Sequence, residues 1–152
     1  MSYQHLLKRF RDVLAVLVGL LAACTSSNQG TERFAHDLEG ASKGLKGDEI
    51  LRMDLVNAGQ WDRMFIFPPY TPTRDIEAVL KSKLSASITE SRINERDDIN
   101  LLVFVNGGKI QMAVAVARGV VDFSFPMPQP LARDRAQFRR PASGSRLVWV
   151  GQ

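Results

Sequence analysis

The apolar positions of this chain follow different rhythms in different places. From Val13 to Ala23 they are unbroken and uncharged, behind a start that carries Lys8, Arg9 and Arg11. That run of about eleven residues is well short of the roughly 20 needed to cross a bilayer core. Further on, Phe34, Leu38 and Ala41 recur at helical spacing and predict a short helix over 32–41. Gly40, Gly44 and Gly47 are expected to break it. Ile50 to Met53 predicts a short edge strand. Trp61 to Phe67 predicts a strand, and its Met64–Phe67 portion is apolar at every position, so both faces should be covered. Pro68 and Pro69 lack the donor that a ladder needs and end the strand. Thr71 is expected to cap the next helix with Pro72 at its first position. Ile76, Val79, Leu80, Lys83 and Leu84 form its stripe, giving a helix over 72–84 supported by a Glu77–Lys81 pair. Residues 85–98 are polar and read as a loop.

The clearest element pair is a hairpin. Leu101–Val105 and Ile110–Arg118 flank Asn106-Gly-Gly-Lys109, whose Asn-Gly step accepts the positive φ of a tight turn. In the second arm Ile110, Met112, Val114 and Val116 alternate with Gln111, Ala113, Ala115 and Ala117. One face is thus bulky, and the other is small enough for a helix to approach. Val120–Phe125 extends or ends the sheet, Pro126, Pro128 and Pro130 mark a loop, Leu131–Phe138 predicts one or two helical turns, and Arg146–Val150 a last strand with Trp149 in the core. The expected fold is α+β, mainly an antiparallel sheet of about four to six strands with one or two packed helices.

Composition changes this picture mainly at the start. A basic stretch, a short apolar run and small residues at its end make a secretory signal over 1–23. Leu21-Ala22-Ala23-Cys24 resembles the lipobox of bacterial lipoproteins, and Cys24 is the only cysteine. The resemblance implies cleavage between Ala23 and Cys24, with acyl chains joined to Cys24. One chain holds a protein only reversibly, whereas several make a stable anchor. The polar Thr25–Thr31 segment extends the expectation to a flexible tether over 24–31. A single domain then occupies 32–152. Localisation follows as the cell envelope; in a Gram-negative host Thr25, rather than Asp, implies the periplasmic face of the outer membrane.

Removing Lys8, Arg9, Arg11 and Asp12 from the 20 basic and 16 acidic residues leaves a net charge of about +2. The basic pI of about 9.6 therefore owes much to the leader, and nucleic acid is not an expected partner. With Cys24 acylated no thiol remains for disulfides. One histidine, His36, is left in the mature chain, which excludes multi-histidine zinc sites. No metal or cofactor is expected.

Trp61-Asp-Arg-Met-Phe-Ile-Phe-Pro-Pro-Tyr-Thr71, followed by a helix, by Leu102–Lys109, and by Arg118 with Asp122-Phe123-Ser124, resembles a group of small uncharacterised bacterial proteins, many with lipobox signals. The resemblance covers residues 45–150 and implies a fold and an address, without an activity. Pro68 departs from the glycine expected there.

Candidate chemistry is sparse. Gly40-Ala-Ser-Lys-Gly44 matches G-x-S-x-G, but a helical segment precedes it where a nucleophile elbow needs a strand. Asp97 and Asp98 read as loop residues. Arg133, Arg135, Arg139, Arg140 and Arg146 form a basic stretch suited to anionic head groups or to plain solvation. Trp61, Asp62, Arg63 and Tyr70 bracket one strand and are recognition-type residues. They are the candidate partner-binding set, with structural roles as the alternative. The expectation is a non-enzymatic, membrane-anchored envelope lipoprotein that binds an envelope protein. The alternatives are a periplasmic inhibitor or immunity-type lipoprotein, or a hydrolase using Asp62, Asp97 or Asp122.

Overall fold

The computed structural model describes residues 29–151. The expected leader, the cleavage point between Ala23 and Cys24, and residues 24–28 lie outside them. The fold is α+β. A helix over 29–44 (α1) is followed by β1 (Ile50–Arg52), a 3-10 turn at Met53–Leu55, β2 (Arg63–Phe67), α2 (Thr73–Leu80) and α3 (Ala86–Ser91). Then come β3 (Ile99–Asn106), β4 (Lys109–Ala117), β5 (Leu131–Ala132), a 3-10 turn at Arg133–Arg135, β6 (Gln137–Arg139) and β7 (Val148–Trp149). Two antiparallel sheets result, one in the order β4-β3-β2-β5 and one in the order β1-β6-β7.

The larger sheet is the middle layer. Strand pleating sends alternate side chains to opposite faces, and here both faces meet a core. Met64, Ile66, Leu102, Phe104, Val114 and Val116 join one cluster with Phe34 and Leu38 of α1, Leu51 of β1 and Phe138 of β6. Phe65, Phe67, Leu101, Val103 and Val105 join the other with Ile76 of α2, Ile88 of α3 and Ile93. The apolar run Met64–Phe67 is therefore covered on both sides, as its composition requires. Phe104 is a hinge of the first core: its ring meets Phe34 edge-on at 5.1 Å and Trp61 at 5.3 Å.

Several boundaries differ from expectation for identifiable reasons. The first helix reaches back to 29, so residues 29–31 of the expected tether are helical. It also runs through Gly40. A mid-helix glycine costs about 1 kcal/mol, which the burial of Phe34 and Leu38 outweighs. Thr71 does not cap α2. Its hydroxyl donates to the Pro68 carbonyl at 2.6 Å, bracing the turn, and Pro72 takes the cap position. The helix expected to reach 84 stops at Lys81, which turns left-handed at φ 52°. A separate helix, α3, occupies part of the expected loop because Ile88 is drawn fully into the second core.

The hairpin is present with Asn106 opposite Lys109, so the two loop residues are Gly107 and Gly108 at φ +55° and +79°. Two consecutive positive φ values make the turn that matches strand twist. The alternation in β4 shifts at one point: Phe104 pairs with Met112 but Val105 with Ile110, leaving Gln111 as a bulge. Ile110 consequently packs on the second core, while Met112, Val114 and Val116 stay on the first. The small-residue face does receive a helix, α3. Residues 131–138 hold a single helical turn, a 3-10 turn at Arg133–Arg135, and the residues on either side of it join strands β5 and β6. Val120–Phe125 ends the sheet, contributing Val121 and Phe123 to the core and a bridge from Phe123 to Leu147. Trp149 is half-buried at the core margin, its Nε1 donating to the Arg135 carbonyl at 2.8 Å.

Candidate functional site

Trp61, Asp62, Arg63 and Tyr70 do not form one patch. Trp61 is only 3% exposed and packs between Phe104 and the Arg133 guanidinium, 5.1 Å above its ring. This burial gives it a packing role in the described structure, the structural alternative read from the sequence. Asp62 works as a clamp on the hairpin. Its Oδ2 accepts from the Gly107 N–H at 3.0 Å, its own N–H donates to Val105 O at 2.9 Å, and its carbonyl accepts from the Arg133 N–H at 3.0 Å. The bond from Gly107, with help from Arg63, holds its carboxyl below the usual range. Arg63 lies beside it, Nε 3.4 Å from Asp62 Oδ1.

Tyr70 lies beyond the other end of β2, which spans roughly 13 Å between its first and last Cα at strand rise. It is 58% exposed and takes φ 61°, a left-handed conformation rare for an aromatic residue. The strain is fixed by its N–H, which donates to Ile93 O at 2.9 Å and Arg96 O at 3.3 Å. A shallow hollow of about 420 Å³ opens here, lined by Tyr70, Pro72, Thr73, Arg74 and Asn94. A second, more apolar hollow of about 270 Å³ lies between α1 and β1, bordered by Leu45, Ile50 and Leu55.

Of the carboxylates considered for acid-base work, Asp62 and Asp122 are tied into hydrogen bonds, while Asp97 is exposed and contributes its backbone carbonyl to Arg118. Asp122 is saturated: Oδ1 accepts from Arg118 Nε (2.9 Å), Asn100 Nδ2 (3.1 Å) and the Phe123 N–H (3.0 Å), and Oδ2 from Arg118 Nη2 (3.0 Å) and Arg146 Nε (3.0 Å). Burial works to raise its pKa, but the bonds from Arg118, Asn100 and the Phe123 amide together outweigh it and leave the pKa lowered. A general acid at neutral pH needs the opposite shift. Asp62, at the Gly107 turn, and Asp122, at Asn100, sit at opposite ends of β3, roughly 20 Å apart at strand rise. Asp98 is held by Arg96, whose Nε and Nη2 lie 2.8 and 2.6 Å from its oxygens. Among the described residues no group of His, Cys, Asp or Glu is arranged to hold a metal ion.

The arginine stretch is dispersed rather than presented as one basic surface. Arg133 donates to Trp61 O at 3.2 Å, Arg139 to Asp48 at 3.3 Å, Arg140 to the Ser42 hydroxyl at 2.6 Å and Arg146 to Asp122. Ser42 is fully buried within α1, so the G-x-S-x-G match has neither a strand before it nor an exposed hydroxyl.

Two constellations escape sequence reading in whole or part. At the Asp122 hub a brace to Arg118 is legible in the sequence, but its further members, Asn100 and Arg146, are not. The other is Gln129, whose amide bonds both backbone groups of Ile66, Oε1 accepting at 3.2 Å and Nε2 donating at 2.8 Å. It continues the outer ladder of β2 where the flanking Pro128 and Pro130 cannot. Comparison of the chain with protein-family models, curated proteins and solved structures gives no match.

Proposed function

We propose that this chain is a membrane-anchored envelope lipoprotein whose folded domain binds another envelope component without catalysis. The observation that carries the reading is Leu21-Ala22-Ala23-Cys24 closing a short apolar run behind Lys8, Arg9 and Arg11. The resemblance of Trp61–Thr71 and Leu102–Lys109 to small bacterial proteins with the same type of leader supports it. No helix among the described residues is long and apolar enough to cross a membrane, so an anchor of the proposed kind would reside at Cys24. On the domain, Tyr70 is the member of the candidate set that offers a large aromatic face, beside Arg74 in the hollow at the start of α2. The enzymatic alternative has less support, because Asp122 is held ionised between two guanidiniums and Asp62 is engaged at a turn.

Replacing Cys24 with Ala is the direct test. The expected result is an unprocessed, unacylated precursor; normal processing and unchanged membrane association would refute the anchor. For the binding surface, crosslinking in the intact envelope should lose a specific adduct on Tyr70→Ala while Arg63→Ala retains it. Retention of every adduct in a folded Tyr70→Ala protein would move the binding surface elsewhere.

A further inference from the structure

The turn that presents Tyr70 is held from every side. Pro68, Pro69 and Pro72 fix φ at three of the five positions from 68 to 72. The Thr71 hydroxyl closes the turn on Pro68 O, and the Tyr70 N–H is taken by two carbonyls, Ile93 O and Arg96 O. Under these restraints Tyr70 keeps its left-handed backbone and still leaves 58% of its surface exposed. So exposed a ring gains little from burial, and glycine would adopt the same backbone without strain. Folding therefore does not account for a tyrosine here. Strain retained at an exposed side chain is characteristic of positions that contact a ligand.

The segment that holds the Tyr70 backbone also carries Asn94, so the ring and the amide are set relative to one another. With Pro72, Thr73 and Arg74 they line the hollow of about 420 Å³. Its polar groups are largely unspent. Among the described residues no hydrogen bond engages the Tyr70 hydroxyl, the Thr73 hydroxyl or the Asn94 amide. Arg74 engages only its Nε, 3.3 Å from Asp75 Oδ1, which leaves both terminal nitrogens as donors. Hydroxyl and amide groups supply donors and acceptors together, and Asp75 offsets the Arg74 charge. The apolar part of the lining is the Tyr70 ring with Pro72 beside it, and no other large apolar side chain joins them. The anchor of a protein partner needs a desolvated apolar surround, which this hollow lacks. The ligand that fits is hydrophilic, carries no strong charge and has a single apolar face.

We infer that the Tyr70 hollow binds a sugar ring of an envelope glycan. The C–H groups of a sugar ring form one apolar face, which stacks on the Tyr70 ring, while its hydroxyl or acetamido groups bond to Thr73, Arg74 and Asn94. The rigid turn favours such a contact, because a ring already fixed in place loses little freedom when the ligand arrives. This inference rests on the binding role proposed for the hollow and gives that role a ligand class.

The test is proton NMR of glycan fragments titrated with the full-length chain, held in a detergent without a sugar head group. Two probes distinguish the sources: glycan strands released from peptidoglycan, and the oligosaccharide of lipopolysaccharide freed of its lipid. A stacked tyrosine moves sugar C–H protons upfield through its ring current, so the expected result is upfield shifts with at least one probe at millimolar concentration. Tyr70→Phe keeps the ring and should keep the shifts. Tyr70→Ala should weaken binding about tenfold or more and abolish them, and Asn94→Ala should weaken binding about threefold. Far-UV circular dichroism checks folding in each variant. A wild-type chain that shifts neither probe upfield, shifts that persist in a folded Tyr70→Ala protein, or shifts lost in a folded Tyr70→Phe protein overturns the inference. Should Tyr70→Ala fail to fold, unchanged affinity in Asn94→Ala overturns it instead. A crosslinked envelope adduct that depends on Tyr70, with no glycan shift, would remove the sugar and leave the binding role in place.

Discussion

At the scale of single residues, the sequence-visible polar candidates are absorbed by structure. Asp122 is the clearest case. A carboxylate whose pKa is lowered on folding contributes stability above its unfolded pKa, near 4, and that contribution is lost as pH falls through the folded value. Acid titration of unfolding should therefore show a loss of stability below about pH 4 that is smaller in Asp122→Asn. At pH 7 that variant, which leaves Arg118 and Arg146 short of an acceptor, should be less stable by about 2 kcal/mol in urea denaturation. Trp61→Ala should cost about 3–5 kcal/mol by the same measurement, because it empties space between Phe104 and Arg133. Tyr70 behaves oppositely. Relief of its left-handed conformation is worth about 1–2 kcal/mol, against about 0.5–1 for the added freedom of glycine. Tyr70→Gly should thus leave the melting temperature unchanged or raised while abolishing the aromatic face, which separates a binding role from a folding one.

At the scale of elements, what was legible was whatever depends on a residue and its near neighbours. The hairpin (with its positive φ at Gly107-Gly108, one residue on from the expected Asn106-Gly107 step), the two-sided burial of Met64–Phe67 and the stripe of α2 around Ile76 follow from local pattern. What was not legible depends on partners distant in the chain. Residues 85–98 look polar, and only the presence of the second core explains why Ile88 and Ile93 organise a helix and its exit there. The Gln111 bulge swaps the face of Ile110 without any break in the alternating pattern, because a strict period of two cannot reveal an inserted residue. Trp61 reads equally well as anchor or core until Phe104 is seen against it. Gln129 lies among prolines and gave no signal at all. Its loss should be felt: Gln129→Ala strands the Ile66 N–H and C=O, and we expect a cost of about 1–3 kcal/mol in urea denaturation with faster exchange of the Ile66 amide.

At the scale of the whole molecule, four strands serve as a wall common to both cores. Opening either side exposes the back of the same strands, so the two cores are expected to unfold together. Tryptophan fluorescence reports the first core, through Trp61 and Trp149, and amide exchange near Ile76 and Ile88 reports the second. The two midpoints in urea should coincide, as two-state unfolding requires. Separate midpoints would mean that the wall does not couple the layers.

The seating of α1 decides how this domain answers to traction. Phe34 is fully buried and its ring abuts Phe104, in the second strand from the β4 edge, rather than resting on a rim. A pull arriving from the amino-terminal direction is therefore delivered near the centre of the fold. The edge-on Phe34–Phe104 contact must part before any strand ladder is loaded. In a single-molecule stretching experiment α1 should peel first, as an early low-force event, and Phe34→Ala should erase that event while leaving the later rupture of the sheet in place.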